Sequence, residues 1–214
     1  MPTIATRALP WLHLNWHRIY AFGGSMGGQE ALLLAARHPR LLAGTAAFDA
    51  VTDLARQYHA FPQLHCGSGC RQTWDGPIGR SLQQLARLEV GGPPHRVPYA
   101  YRLRSPITYA RTLAASCMPL QLWWSSGDRI VLRQSLQTGR LFREIRRLNP
   151  IAPVQAFVGY WNHSYEMRST TRLPLALQAF GLLPPPDKLV TSGLHWYPPP
   201  TAEDACPRRP SSGG

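Results

Sequence analysis

The chain has 214 residues, 44% of them hydrophobic, which is enough for one main domain with a substantial core. No apolar run nears the roughly 18 residues of a membrane span. Met1 to Trp16 lack the basic start and continuous apolar centre of a signal peptide, so no membrane partner is expected and the compartment stays unassigned. The net charge of +12 raises nucleic acid as a partner, but Lys188 is the only lysine and the arginines are scattered through every segment, which argues against a phosphate-binding run. Their densest group, Arg140, Arg143, Arg146 and Arg147, reads as the solvated side of a helix.

The first firm element is Arg18 to Phe22, rich in β-formers and followed at once by glycines, which predicts a short strand. Met26 to Arg37, with Ala31 to Ala36 at its centre and Pro39 beyond its end, predicts a mostly buried helix. A second strand fits Leu41 to Phe48 and lies parallel to the first if the helix is a crossover connection. From residue 54 to 104 the pattern loosens into Gly, Pro, His and aromatic residues, with one helix at Ile78 to Leu88, and this reads as a cap-like insertion. Regular structure returns with a strand at Leu120 to Trp124, a helix at Arg133 to Leu148, a strand at Pro153 to Val158 and a helix at Ser169 to Phe180. The expected organisation is an atypical N-terminal segment (1–17), one α/β unit (18–182) and a tail (183–214) whose proline runs predict disorder. The fold class is α/β, with a mostly parallel sheet of about four strands and flanking helices.

Four cysteines, Cys66, Cys70, Cys117 and Cys206, are too few and too scattered to read as a disulfide framework. His65, Cys66 and Cys70 lack a good fourth ligand for zinc, so a local disulfide or free thiols are expected there, and no metal. Trp74, Tyr99, Tyr101 and Trp161 are pocket candidates, with core packing as the commoner use of such rings.

The chemistry centres on Gly23-Gly24-Ser25-Met26-Gly27-Gly28, a Gly-x-Ser-x-Gly pattern lying directly between a predicted strand and a predicted helix. The small residues Gly23, Gly24 and Gly27 let the chain turn sharply, so that Ser25 projects its hydroxyl at the end of the sheet. The helix start offers the Met26 N–H to a developing oxyanion. A serine hydroxyl needs a base, and the base needs an orienting acid. Asp128 follows the strand ending at Trp124, and His163 follows the next strand, giving the chain order Ser, Asp, His at one sheet edge. Asp49, at the end of the second strand, is the competing acid.

Three stretches, Ile19 to Pro39, Arg104-Ser105-Pro106-Ile107-Thr108-Tyr109 leading through Pro119 to Asp128, and the block around His163, resemble α/β-hydrolases of the prolyl-oligopeptidase type and their esterase relatives. The resemblance implies a serine-type peptidase, or else an esterase, that acts on a peptide or ester substrate through an acyl-enzyme without metal or organic cofactor. It assigns Ser25 as nucleophile, His163 as base and then acid, and Asp128 as the group orienting His163. It also implies that the chain matches the C-terminal half of that fold, because only about 17 residues precede a strand that is fifth of eight in the family. Two expectations follow: self-association through the open edge of the first strand, and, as the competing function, an inactive fragment acting only in binding or assembly.

Overall fold

The computed structural model describes Asn15 and residues 17–64, 78–184, 193–201 and 206. Five strands form one sheet in the order β1-β2-β3-β4-β5: β1 (Tyr20–Gly24), β2 (Gly44–Phe48), β3 (Leu120–Ser125), β4 (Val154–Gly159) and β5 (Leu194–Tyr197). The first four are parallel and β5 is antiparallel to β4. Helices connect them: α1 (Met26–Arg37), α2 (Leu54–Ala60), α3 (Ile78–Val90), α4 (Pro98–Leu103), α5 (Ala110–Ser116), α6 (Thr138–Leu148) and α7 (Arg172–Gln178). Among the described residues no helix is long and apolar enough to cross a membrane.

Period-two alternation along the strands sends consecutive side chains to opposite faces. Ala47, Leu122 and Ala156 lie side by side across β2, β3 and β4 on one face, where they meet Leu32 of α1, Leu113 of α5 and Leu141 and Ile145 of α6. The other face carries Phe48, Trp123 and Phe157 in the same transverse row, with the rings of Trp123 and Phe157 stacked at 3.9 Å, and α7 covers it with Leu175 and Ala176. Parallel strands buried on both faces explain why their sequences run apolar rather than alternating. Helix α1 forms because Ala and Leu fill its interior, and it closes where the His38 N–H reaches Leu34 O just before Pro39.

The stretch read as an insertion, residues 54–104, holds more order than one helix. α2, α3 and α4 all lie within it, and their apolar sides build two small clusters, one around Val51, Leu54, Tyr101 and Val131, the other around Phe61, Ile78 and Leu132. Val131 and Leu132 belong to the loop after β3, so the insertion grips the segment that carries Asp128. Helix α5 was not expected, and the helix foreseen at Arg133 to Leu148 is broken into a 3-10 turn (Gln134–Leu136) and α6.

The tail is the main correction. Residues 194–197 form β5, whose Trp196 stacks on Phe157 at 6.3 Å, and Cys206 is disulfide-bonded to Cys117 at the end of α5 across a sequence separation of 89. Composition foretold disorder because the segment buries little of itself: Trp196 and Tyr197 stay about 40% exposed. What holds it is edge pairing and a covalent bond. The sheet therefore has five strands rather than four, and two of the scattered cysteines are joined, whereas Cys66 and Cys70 lie outside the described residues. Cys206→Ser is expected to lower unfolding free energy by about 2–4 kcal/mol, because the cross-link closes a long loop. Chemical denaturation with and without reductant measures this, and reductant should shift the wild type more than the variant.

Candidate active site

Parallel pairing brings the C-terminal ends of β1, β2, β3 and β4 to one edge of the sheet, where ligands of open α/β sheets bind. Ser25 follows β1, Asp49 follows β2, Asp128 lies three residues beyond β3, and His163 four beyond β4.

Ser25 occupies φ 57°, ψ −121°, a conformation that costs a non-glycine residue about 1–3 kcal/mol. Bonds on both sides hold it there: its N–H donates to Phe48 O at 2.8 Å, and its carbonyl accepts from the Gln29 N–H at 3.1 Å. Packing closes the turn as well. A Cβ on Gly23 would sit 2.1 Å from Gly27 O, and one on Gly28 would meet Gly23 O at 2.9 Å, whereas one on Gly27 would meet nothing. Of the glycines in the motif, Gly23 and the unsuspected Gly28 are thus required by space, Gly24 is crowded by the flexible Met167 side chain, and Gly27 is not constrained. The turn aims the start of α1 at the edge, with Met26 exposed there.

His163 Nδ1 and Asp128 Oδ2 are 2.9 Å apart, with the Asp128 side chain almost fully buried and His163 partly so. The carboxylate is held from every side: Oδ1 accepts from the Ile130 and Val131 N–H groups, and Oδ2 also accepts from Gln134 Nε2 at 3.0 Å. Gln57 of α2 adds a bond to Ile130 O. An acceptor oxygen at Nδ1 places the histidine proton there and leaves Nε2 to accept one. The Ser25 hydroxyl makes no hydrogen bond among the described residues; in unliganded sites such contacts tighten only when substrate arrives.

Asp49 is fully buried, and its ligand atoms come within 4.8 Å of those of Asp128 and His163. Its bonds go elsewhere. Oδ1 accepts from the Ser125 N–H at 2.8 Å, and Oδ2 from the Ser164 N–H at 2.8 Å and the Trp161 indole at 3.0 Å. Burial, and after it the Asp128 charge, push its pKa up to about 6 against these donors. Asp49, Asp128 and His163 could in principle hold a cation, but N–H donors already point at every carboxylate oxygen, and a metal would have to displace them.

Among the pocket candidates, Trp161 and Tyr101 are core residues, the latter donating to Gly92 O, while Tyr99 is exposed and Trp74 lies outside the described residues, as does His65. The residues that sequence reasoning missed are Gln134, which steadies Asp128, and Glu166, a fully buried acid near His163. Neither carries a local signal, since each matters through partners brought together by the fold. Of the four helix arginines, Arg140 pairs with Asp53 and Arg147 with Glu144, as a solvated face would.

No family model matches the chain, and no curated protein does. Solved structures do. An acylaminoacyl peptidase of Pyrococcus horikoshii is 17% identical over 82% of this chain and 26% of its own, with a TM-score of 0.57. Porphyromonas gingivalis dipeptidyl peptidase 4 is 20% identical over 83% and 21%, at 0.51. A Pyrococcus furiosus esterase is 14% identical over 77% and 54%, at 0.50. These likenesses show the fold alone: an α/β arrangement with a mostly parallel sheet, shared with part of each of those enzymes, as the sequence led us to expect. The chain spans about a quarter of the length of the peptidases it matches.

The spatial argument for the turn separates two glycines of one motif. Gly23→Ala is expected to destabilise by about 1–3 kcal/mol through overpacking against backbone, whereas Gly27→Ala, in the first turn of α1, is expected to be neutral or stabilising by up to about 1 kcal/mol. Urea midpoints of the two variants decide it.

Proposed function

We propose that this chain carries the nucleophile, base and acid of a serine hydrolase, with a peptidase favoured over an esterase. The observation that carries the reading is the 2.9 Å contact of His163 Nδ1 with a buried, fully bonded Asp128, at the same sheet edge as a serine in a strained strand-to-helix turn. In this reading Ser25 Oγ attacks a carbonyl carbon while His163 Nε2 takes the hydroxyl proton, and the Met26 N–H stabilises the oxyanion. Collapse breaks the bond to the amine or alcohol, which leaves with the proton returned by His163. Water then attacks the acyl-serine with the same base, releasing the acid and restoring Ser25. Asp128 orients the imidazole and balances its charge without taking the proton. The peptidase preference draws on the two peptidases named above, against one esterase.

A fluorophosphonate probe tests the reading, since it reacts only with an activated serine. Ser25→Ala is expected to abolish labelling, and His163→Ala and Asp128→Asn to slow it by on the order of 10³- to 10⁴-fold. A folded wild type that does not label, or labelling that survives in Ser25→Ala, would overturn it.

The second reading is a segment that serves binding or assembly without turnover. It draws support from β1, which among the described residues pairs on one side only. It predicts self-association of the purified chain, and a monodisperse species of 23.9 kDa by light scattering would count against it.

A further inference from the structure

One buried acid near the site has no part in the reaction proposed above. Glu166 lies in the 3-10 turn Tyr165–Met167, three residues after His163, with no exposed surface. Neither of its carboxyl oxygens accepts a hydrogen bond, and among the described residues it forms no ion pair. A carboxylate there would be a buried charge without a hydrogen-bond donor, a state proteins avoid by keeping the proton.

The groups around it point the same way. Asp49 reaches this segment from the end of β2, with Oδ2 on the Ser164 N–H two residues before Glu166, and the charges of Asp49 and Asp128 both bear on it. His163, on its own segment, is engaged with Asp128. The guanidinium of Arg172, from α7, lies over the rings of Trp161 and Tyr165 at 4.4 and 5.7 Å. Two adjacent buried carboxyls cannot both ionise, so one of them keeps a proton. The bonds say which. Asp49 collects three N–H donors, and a carboxylate with three donors is the charged member. Glu166 collects none and is the acid.

We propose that Glu166 is held as a neutral carboxylic acid donating to the Asp49 carboxylate, and that this pair is a positioning element for the loop bearing His163. The leverage is direct, because Asp49 bonds the Trp161 indole and the Ser164 N–H, which bracket His163 in the chain. The catalytic consequence rests on the hydrolase reading above; the shared proton does not. The electrostatics agree in direction: burial first, then the Asp49 charge, push Glu166 up to about 9. The folded chain thus keeps a proton that the unfolded chain releases above 4.5, so stability falls as pH rises from there toward about 9. Beyond that pH the second charge appears beside Asp49 and the loop loosens.

The test uses the full chain and Glu166→Gln, which keeps a donor toward Asp49 but cannot ionise. Infrared difference spectra at pH 7 should show a protonated-carboxyl C=O band in wild type that the variant lacks. Melting temperature should fall with pH between 5 and 9 in wild type and much less in the variant. Fluorophosphonate labelling should decline above about pH 9 in wild type and persist in Glu166→Gln, whereas Asp49→Asn, which turns an amide toward N–H donors, should slow it at least about tenfold at pH 7. If Glu166→Gln fails to fold, Glu166→Leu of similar volume serves the infrared and melting arms. Absence of the band, or equal pH dependence of melting in wild type and variant, overturns the shared proton. Unchanged labelling in Asp49→Asn, or the same alkaline decline in Glu166→Gln, overturns the positioning role. A folded wild type that shows the band but never labels sinks the hydrolase reading and leaves the shared proton supported.

Discussion

Asp49 is the carboxylate on which the sheet edge depends. Strands β2, β3 and β4 each end at that edge, and a loop leaving a parallel strand has no neighbour to pair with once the ladder stops. Asp49 supplies the missing acceptors: its two oxygens take the N–H of Ser125 at the end of β3 and the Trp161 and Ser164 donors beyond β4. Three backbone segments are thereby tied at one point. Ser125 reinforces the tie, its hydroxyl accepting from the Trp161 N–H at 2.7 Å and donating to Trp161 O at 2.6 Å. A buried charge is costly unless hydrogen-bonded, and these donors offset that cost.

The strain at Ser25 belongs to the same economy of local bonds. A residue forced to positive φ stays there only when its surroundings over-determine it. Here the turn is fixed by a bond across to β2, by the first bond of α1 and by the near contact of Gly23 with Gly27 and Gly28. In the transverse row Gly24, Phe48, Trp123, Phe157 and Trp196, β1 and β2 stop while β3 and β4 run two residues further, so the register of the sheet sets the relative heights of Ser25, Asp49 and the loops that follow.

Much of this was legible in the sequence because it is local. The α1 boundaries follow from helix formers between a glycine turn and Pro39, and β2, β3 and β4 follow from apolar runs between breakers, each within about three residues. The candidate triad was legible because motif, strand ends and chain order agree. What escaped was non-local. The role of Asp49 depends on partners 76 to 115 residues away, so an aspartate at a strand end reads as a catalyst or a turn and never as a knot. Order in the tail escaped for the same reason. Proline content measures what a segment can bury by itself, not what β4 and Cys117 can hold. Within the glycine motif, pattern singled out Gly23 and Gly27, while the contacts that need a glycine fall at Gly23 and, one residue after Gly27, at Gly28.

The insertion and the sheet do different work at the edge. Val131 and Leu132 pack into the insertion's clusters and Gln57 binds Ile130 O, so the acid loop is set from the insertion side. The His163 loop is set from the sheet side, through Asp49 and Ser125. The Asp128–His163 contact spans these two supports, and a shift of either body would be felt first as a change in that one distance. Support from both sides lets a hydrogen bond with a partly exposed histidine hold its geometry without full burial of the ring. Both supports, and the turn that carries Ser25, are built from contacts among β1 to β4 and the insertion.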